Sequence, residues 1–301
     1  MNAAGLARKL TRKRHTLAMP SLRFYRARPD APLFVIGSGR SGNTLVRRVL
    51  MASGQIYLPP ETYVLGDIIE SWPTARLLTW RERIWLFCAH FEKHQHWNTF
   101  ELPNLNEFAD EAKRYSQRDL RTLTEGFFLF LARKSGSPAT RWGDKTPWNT
   151  NHLASLAYLF PHARFLWLVR DGRDVALSYS KSGLIPEISD AARRWSDANA
   201  ACARFARWSP NVLQMHYERL VSEPENAFRQ VFDWAHLDFS ETMLTADAGA
   251  MGDVERLSHH AAVTSPISAS SVGNWRSSLE PGALNKAPAA FDLWLKRLGY
   301  A

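Results

Sequence analysis

The sequence predicts an α/β fold, a single domain with a central parallel sheet flanked by helices and interrupted by a helical insert. Three observations carry the prediction. Apolar runs at Leu33 to Ile36, Arg164 to Val169 and Val212 to His216 alternate with segments of helical periodicity, the order of a parallel sheet covered on both faces. The first run leads into three glycines within six residues, and the apolar spacing then changes to that of a helix. The 301 residues contain no internal repeat and no interdomain linker, so one large domain accounts for them.

The first strand, turn and helix set the chemistry. Leu33 to Ile36 reads as a buried strand, and Leu45, Val46, Val49 and Leu50 mark one helix face. Between them stand Gly37, Ser38, Gly39, Arg40, Ser41, Gly42, Asn43 and Thr44. Strand, glycine-rich turn and helix N-terminus aim backbone N–H groups and the positive end of a helix dipole at one point, a site for phosphate or sulfate. The spacing makes the domain P-loop-like, matching G-x-x-x-x-G-K-[ST] at Gly37, Gly42 and Thr44. Asn43 stands where a nucleotide triphosphatase carries its lysine, which argues against NTP hydrolysis and leaves the anion cradle intact. Arg40 supplies the missing positive charge.

Tyr57 and Leu58 read as a short strand end, and Pro59-Pro60 forces an extended turn that delivers Glu61. Ligands of open α/β sheets sit beyond the carboxyl ends of strands, so a carboxylate there can face the anion site. Residues 66 to 138 form the helical insert, with Ile84, Leu86, Phe87 and Phe91 in one helix. Phe108, Ala112, Tyr115 and Leu120, then Leu123, Phe127, Phe130 and Leu131, mark one or two more. The insert is expected to build the acceptor pocket. Within it, His90 and His94 have the spacing of a metal pair but no glutamate between them, and no metal site is expected. Thr140 to Trp142 is a short strand, and Pro147 starts a helix through Leu153, Leu156 and Leu159. Lys145 then lies on a loop beyond a strand, where a cation meets charge developing on a transferred group.

The strand Arg164 to Val169 runs into Arg170-Asp171-Gly172-Arg173-Asp174-Val175-Ala176-Leu177-Ser178, with a helix starting near Gly172. Arg170 at the strand end and Ser178 two turns into the helix form a second anion site beside the first, suited to a ligand with two separated phosphates. A helix over 189 to 208 places Trp195, Ala198, Cys202 and Phe205 inward. Tyr217-Glu218-Arg219-Leu220 follows the strand Val212 to His216, and a helix through Phe228, Val231, Phe232 and Trp234 ends near His236. Residues 246 to 272, rich in Ala, Ser, Gly and Thr, read as a mobile loop. A final amphipathic helix carries Phe291, Trp294, Leu295 and Leu298.

Charge and cysteines narrow the function classes. The net charge is +9, but residues 1 to 30 hold eight Lys or Arg against one acid, so +7 belongs to this segment and +2 to the rest. The reading is a flexible basic N-terminal arm over 1–30 and a nearly neutral body over 31–301, which excludes a nucleic-acid surface on the body. The arm lacks a signal peptide's apolar centre. Being Arg-rich and acid-poor, it suits a transit peptide, peripheral contact with an anionic membrane, or plain solvation. Two cysteines, Cys88 and Cys202, give no disulfide framework, and no apolar run reaches the eighteen or so residues of a span. The expected location is cytoplasmic, with peripheral membrane contact left open.

These motifs resemble the sulfotransferase family, enzymes that use 3′-phosphoadenosine 5′-phosphosulfate (PAPS) as co-substrate. The resemblance runs from Phe34 to the C-terminus. Gly37 to Leu45 is similar to the family's 5′-phosphosulfate loop, and Arg170 to Ser178 to its 3′-phosphate motif, in which the first Arg and the Ser hold the 3′-phosphate. The chain looks closest to the branch that includes tyrosylprotein sulfotransferases. There a Glu-Thr after the first helix provides the catalytic base, which the resemblance assigns to Glu61 of Glu61-Thr62. Asp144-Lys145-Thr146-Pro147 echoes the branch's Asn-Lys-Asp-Pro, whose Lys contacts the sulfuryl region. Tyr217-Glu218-Arg219-Leu220 resembles its Tyr-Glu-x-Leu, which implies Tyr217 beside the nucleotide. The branch's later catalytic serine has no clear counterpart; Ser265, Ser268 and Ser271 are the candidates, and His259 and His260 compete as base.

The resemblance implies a metal-independent, in-line transfer of a sulfuryl group from PAPS to a hydroxyl. Glu61 is then the base, and Arg40, Lys145 and the loop N–H groups stabilise charge. The acceptor is left open among carbohydrate, lipid, small molecule and peptide. A P-loop small-molecule kinase and a non-catalytic nucleotide-binding protein are the rival readings. Asn43 speaks against the first and the charge distribution against the second.

Overall fold

The computed structural model describes residues 25–245 and 266–301. Five strands build one parallel sheet: β1 (Leu33–Gly37), β2 (Ile56–Tyr57), β3 (Arg141–Asp144), β4 (Arg164–Val169) and β5 (Val212–His216). Their spatial order is β2-β3-β1-β4-β5. Leu33 lies between Gly143 and Arg164, and Val169 pairs with His216. The chain first runs outward from β1 to the β2 edge, comes back through β3, and then crosses to β4 on the other side of β1. That change of direction opens a crevice at the carboxyl ends of β1 and β4, where doubly wound sheets bind ligands.

Period-two alternation sends the side chains of β1 to two cores. Phe34 and Ile36 join Trp142, Phe160, Phe165 and Trp167 on one face. Leu33 and Val35 join Val46, Val49, Leu50, Leu166, Leu168 and Phe232 on the other. Both faces are dry, so the strand sequence is apolar throughout. Helix α1 (Asn43–Ala52) follows β1 and covers the second face.

Between β2 and β3 the chain makes α2 (Leu65–Ser71), α3 (Trp80–Glu92), α4 (Asn106–Ala112) and α5 (Leu120–Lys134). A capping box starts α3: Thr79 Oγ1 accepts from the Glu82 N–H, and the Glu82 carboxylate accepts from the Thr79 N–H. The insert packs through aromatic rings. Phe127 meets Phe91 at 4.3 Å and Phe87 at 5.4 Å between centroids, geometries that add to area burial. Leu86 turns outward, 37% exposed, while Ile84, Phe87 and Phe91 face in.

Beyond β3 come a 3-10 turn (Pro147–His152) and α6 (Leu153–Leu159). After β4 and β5 stand α7 (Gly172–Lys181), α8 (Ile188–Ala206), α9 (Tyr217–Ser222), α10 (Pro224–Ala235), α11 (Trp275–Ser278) and α12 (Ala289–Arg297). On α8 the half-buried Ala198 leaves the inward place to Asn199, whose Oδ1 accepts from Trp167 Nε1 at 3.0 Å. The expected flexibility of residues 1–24 lies outside the described residues. The end of the arm is attached to the body: Asn211 Nδ2 donates to the Tyr25 carbonyl at 2.7 Å, and Asn211 Oδ1 accepts from the Ala27 N–H at 3.0 Å.

Candidate functional site

The loop between β1 and α1 is shaped by backbone conformations that side chains rarely adopt. Gly37 has φ 121°, and a Cβ there would meet the Leu168 carbonyl oxygen at 2.4 Å. Gly42 has φ 89°, and a Cβ would meet the Tyr217 ring at 2.5 Å. Arg40, between them, takes φ 65°. Gly42 is also the N-cap of α1, and without a side chain it leaves the first helical amides to an incoming anion. Asn43 donates its amide to the Ser38 carbonyl at 3.2 Å and braces the loop from the place a P-loop lysine would occupy. Thr150 Oγ1 accepts from the Gly37 N–H at 2.9 Å and donates to the Gly37 carbonyl at 3.0 Å, fixing the loop's start.

The end of β4 supplies the second half. Arg170 donates through Nη1 to the Arg40 carbonyl at 3.1 Å and through Nη2 to the Ser271 carbonyl at 2.6 Å. Its guanidinium lies 4.4 Å from the Tyr217 ring centroid, a cation–π contact. Tyr217 Oη and Ser271 Oγ are 2.6 Å apart. Arg40 Nε donates to Ser178 Oγ at 2.9 Å, so the two anion motifs meet through Arg40. Burial pulls the Arg40 guanidinium below its ordinary pKa, and Arg170 adds to that, while Tyr179 and Glu61 oppose it. On α7, Asp174 accepts from the Gly273 N–H at 2.7 Å and the Trp275 N–H at 2.9 Å. This draws residues 271–275 over the crevice.

These donors fit a ligand with two separated phosphates. The hydroxyls of Ser38 and Ser41 and the Nε of Arg170 are buried with no hydrogen-bond partner among the described residues. Buried polar groups are normally satisfied, and all three lie in the two anion motifs.

A third group enters from the other side of β1. Pro59-Pro60 brings Glu61 off the end of β2, and its Oε1 accepts from Lys145 Nζ at 2.7 Å. Lys145 is fully buried, while Glu61 keeps 17% of its side chain exposed, toward the cavity. The ammonium sits behind the carboxylate rather than in the cavity wall.

One cavity of about 990 Å³ unites these parts. Its wall includes Gly39, Arg40, Gly42, Asn43, Thr44, Leu45, Glu61, Arg170, Ser178 and Tyr217. Gly37, Ser38, Ser41 and Lys145 stand one layer behind it. The wall also includes His96 of the insert and residues to which the sequence reading gave no role: Tyr63, Thr99, Trp148, Leu184, Ile185 and Arg194. Tyr63, at φ 55°, stacks on His94 at 5.0 Å and lies 5.1 Å from His96. Trp148 and Arg194 face each other at 5.6 Å. Trp148 directly follows Asp144-Lys145-Thr146-Pro147, and Tyr63 directly follows Glu61-Thr62. His90 and His94 belong to no group of three or more metal-binding side chains among the described residues. His259, His260 and Ser265 lie outside the described residues. Ser268 and Ser271 line the cavity, and Ser271 already holds Arg170 and Tyr217.

A family model described as the sulfotransferase family matches residues 32–241. The chain is 26% identical over 289 residues to protein-tyrosine sulfotransferase 1 of Danio rerio, covering 90% of this chain and 73% of that one. It is 25% identical over 297 residues to protein-tyrosine sulfotransferase 2 of Gallus gallus, covering 92% and 71%. Among solved structures, the sulfotransferase domain of the Synechococcus PCC 7002 olefin synthase aligns with a TM-score of 0.61 at 20% identity, over 94% of this chain and 99% of that domain. The sulfotransferase domain from the curacin biosynthetic pathway aligns at 0.57 and 18%, over 93% and 99%. Both share the fold.

Proposed function

The chain belongs to the sulfotransferase family and is a PAPS-dependent sulfotransferase, and on that premise we propose that Glu61 is its general base, that Lys145 and Arg40 stabilise the transferring group, and that the acceptor is a protein or peptide hydroxyl. The observation that carries the reading is the convergence of the Lys145–Glu61 pair and the Arg40–Arg170–Ser178 cluster on one cavity.

The co-substrate supplies an electrophilic sulfur with a nucleoside bisphosphate as its leaving group. Arg170, Ser178 and Tyr217 are assigned to the nucleotide and its 3′-phosphate. The amides of Gly37 to Leu45 are assigned to the 5′-phosphosulfate. Glu61 takes the acceptor's proton on its free oxygen while the acceptor oxygen bonds to sulfur and the sulfur–phosphate bond breaks. Lys145, held at 2.7 Å, orients the Glu61 carboxylate and offsets negative charge in the transition state. Removing one such preorganised donor costs about 2.7–4 kcal/mol. Arg40 and Lys145 provide the cationic charge that Mg²⁺ provides in NTP enzymes, so turnover is expected to persist in chelator.

The peptide assignment is supported by the curated relatives, which are named protein-tyrosine sulfotransferases, and by the aromatic wall of Tyr63, His96 and Trp148, which suits a phenol ring. The basic arm is assigned to peripheral contact with an anionic surface, and the protein to the cytoplasm. Calorimetry with 3′-phosphoadenosine 5′-phosphate (PAP), AMP and ATP tests the nucleotide assignment. PAP is expected to bind far more tightly than the other two, and equal affinities would refute the two-phosphate reading.

A further inference from the structure

Asp144 ends β3 beside the proposed catalytic pair and is fully buried. Its Oδ1 accepts from Thr146 Oγ1 at 2.7 Å. Its Oδ2 accepts from Thr62 Oγ1 at 2.8 Å and from Asn149 Nδ2 at 2.7 Å. The Thr62 N–H donates to Thr146 Oγ1 at 2.8 Å, which closes the ring. Thr62 directly follows Glu61, and Lys145 lies between Asp144 and Thr146. The chain segments carrying base and ammonium, 84 residues apart, are thus tied together around one carboxylate.

That carboxylate is costly. Burial pushes Asp144 above the usual carboxylate range, and nearby Glu61 adds to this, while the bonds from Thr146, Thr62 and Asn149 oppose it. An apolar contact would hold two turns together without desolvating a charge. What it lacks is direction: three donors converging on two oxygens fix the positions of Thr62 and Thr146 along defined lone pairs.

We propose that Asp144 is a positioning residue for sulfuryl transfer, acting through Thr62 and Thr146 to hold the Glu61 carboxylate against Lys145 and so to set where the acceptor's proton is received. The proposal rests on the reading of Glu61 as base. Asp144 touches no substrate and stands behind the cavity wall. Its substitution therefore acts on the geometry of the proton-accepting oxygen and not on nucleotide contacts. A displacement on the order of 1 Å at a reacting group costs roughly 100-fold in rate.

The test compares Thr62→Val, Thr62→Ser and Asp144→Asn with Glu61→Gln. Three readouts apply: transfer from labelled PAPS to a tyrosine-containing peptide, PAP affinity by calorimetry, and the Lys145 Nζ to Glu61 Oε1 distance in PAP-bound crystals. Thr62→Val removes the hydroxyl and is expected to lower kcat roughly 100-fold, leave KM and PAP affinity unchanged, and lengthen the Lys145–Glu61 contact. Thr62→Ser restores the hydroxyl and is expected to recover both kcat and distance. Asp144→Asn should repeat the Thr62→Val pattern, and if it fails to fold the threonine pair still decides. An unchanged Lys145–Glu61 distance in Thr62→Val overturns the proposal, as does a kcat loss that Thr62→Ser does not recover. If Glu61→Gln is inactive while Thr62→Val is unaffected, this inference fails and the base assignment stands. An active Glu61→Gln removes the base assignment, and the crystal distance still reports on the clamp.

Discussion

The half of the cavity proposed for the nucleotide and the half proposed for the acceptor are built by different means. The nucleotide half hangs on the ends of two adjacent central strands, β1 and β4. Five of its residues, Gly39, Arg40, Gly42, Asn43 and Thr44, are close neighbours in sequence, and its two motifs interlock through Arg40 and Arg170. The acceptor half is assembled from Tyr63, the His96–Thr99 turn, Trp148 and Leu184, which come from separate connections, and from Arg194 on α8. The difference teaches which half can vary. A loop whose amides must converge on an anion depends on Gly37 and Gly42, whereas a wall of rings from unrelated loops can change residue by residue without disturbing the sheet. Loops carried by a rigid scaffold are where specificity usually resides.

The strongest way to break the comparison is at the point where the halves meet. Glu61→Gln keeps the shape of the side chain but cannot take the acceptor's proton. Turnover is expected to fall by roughly 10²–10⁴-fold, the usual contribution of a general base, with PAP affinity unchanged. Single-turnover kinetics beside calorimetry separates the two. Near-normal turnover would pass the role of base to His259 or His260.

Next in size is the nucleotide half alone. Arg170→Ala removes a guanidinium that braces the loop at the Arg40 carbonyl and the crossing segment at the Ser271 carbonyl. A hydrogen bond from a charged group contributes about 1.5–3 kcal/mol, which corresponds to a loss of PAP affinity on the order of 10–100-fold. The KM for acceptor should stay near its original value. A shift in both constants would mean that the halves are coupled through Arg40 more tightly than the contacts suggest.

The same division explains what the sequence made legible. The strands at Leu33, Arg164 and Val212 announced themselves because strands buried on both faces are apolar throughout. Arg40, Arg170 and Ser178 were readable because their positions follow from short local spacing at strand ends, and Tyr217 through the resemblance of its motif to the family's Tyr-Glu-x-Leu. Tyr63, Thr99 and Arg194 were not, since only long-range packing brings them to one wall. The short helix α9 also escaped, being 6 residues long and too brief to show a period. Asp144 stood in a quoted motif, but its partner Thr62 is 82 positions away, and no spacing rule reaches that far.

A smaller effect is expected in the acceptor half. Trp148→Ala removes a ring that is 40% exposed and faces Arg194. KM for a tyrosine-containing peptide should rise several-fold, the scale of a cation–π or aromatic contact of about 0.5–1.5 kcal/mol, with kcat and PAP affinity held. An unchanged KM would remove Trp148 from the acceptor wall.

The mildest separation of the halves is by pH. Burial lowers the pKa of His94 from its ordinary 6.5, and His96 lowers it further. His90, on the neighbouring α3, is lowered by burial and by Lys93, against an opposing pull from Asp67. A histidine with a folded pKa below its unfolded one binds fewer protons when folded, so stability rises with pH between those two values. The window therefore lies below pH 6.5 and closes at the lowered folded values. Above it both rings are neutral and Tyr63 stacks on an uncharged His94 at 5.0 Å. Acidification through the window charges His94 beside His96 and strains that stack. Thermal unfolding from pH 5 to 8 should show Tm falling on the acid side, by less in His94→Gln. Acceptor KM should rise over the same interval in the original protein and stay flatter in the variant. The size is modest because His94 is only partly buried. If His94→Gln leaves both the Tm slope and the KM slope unchanged, His94 is not the titrating group.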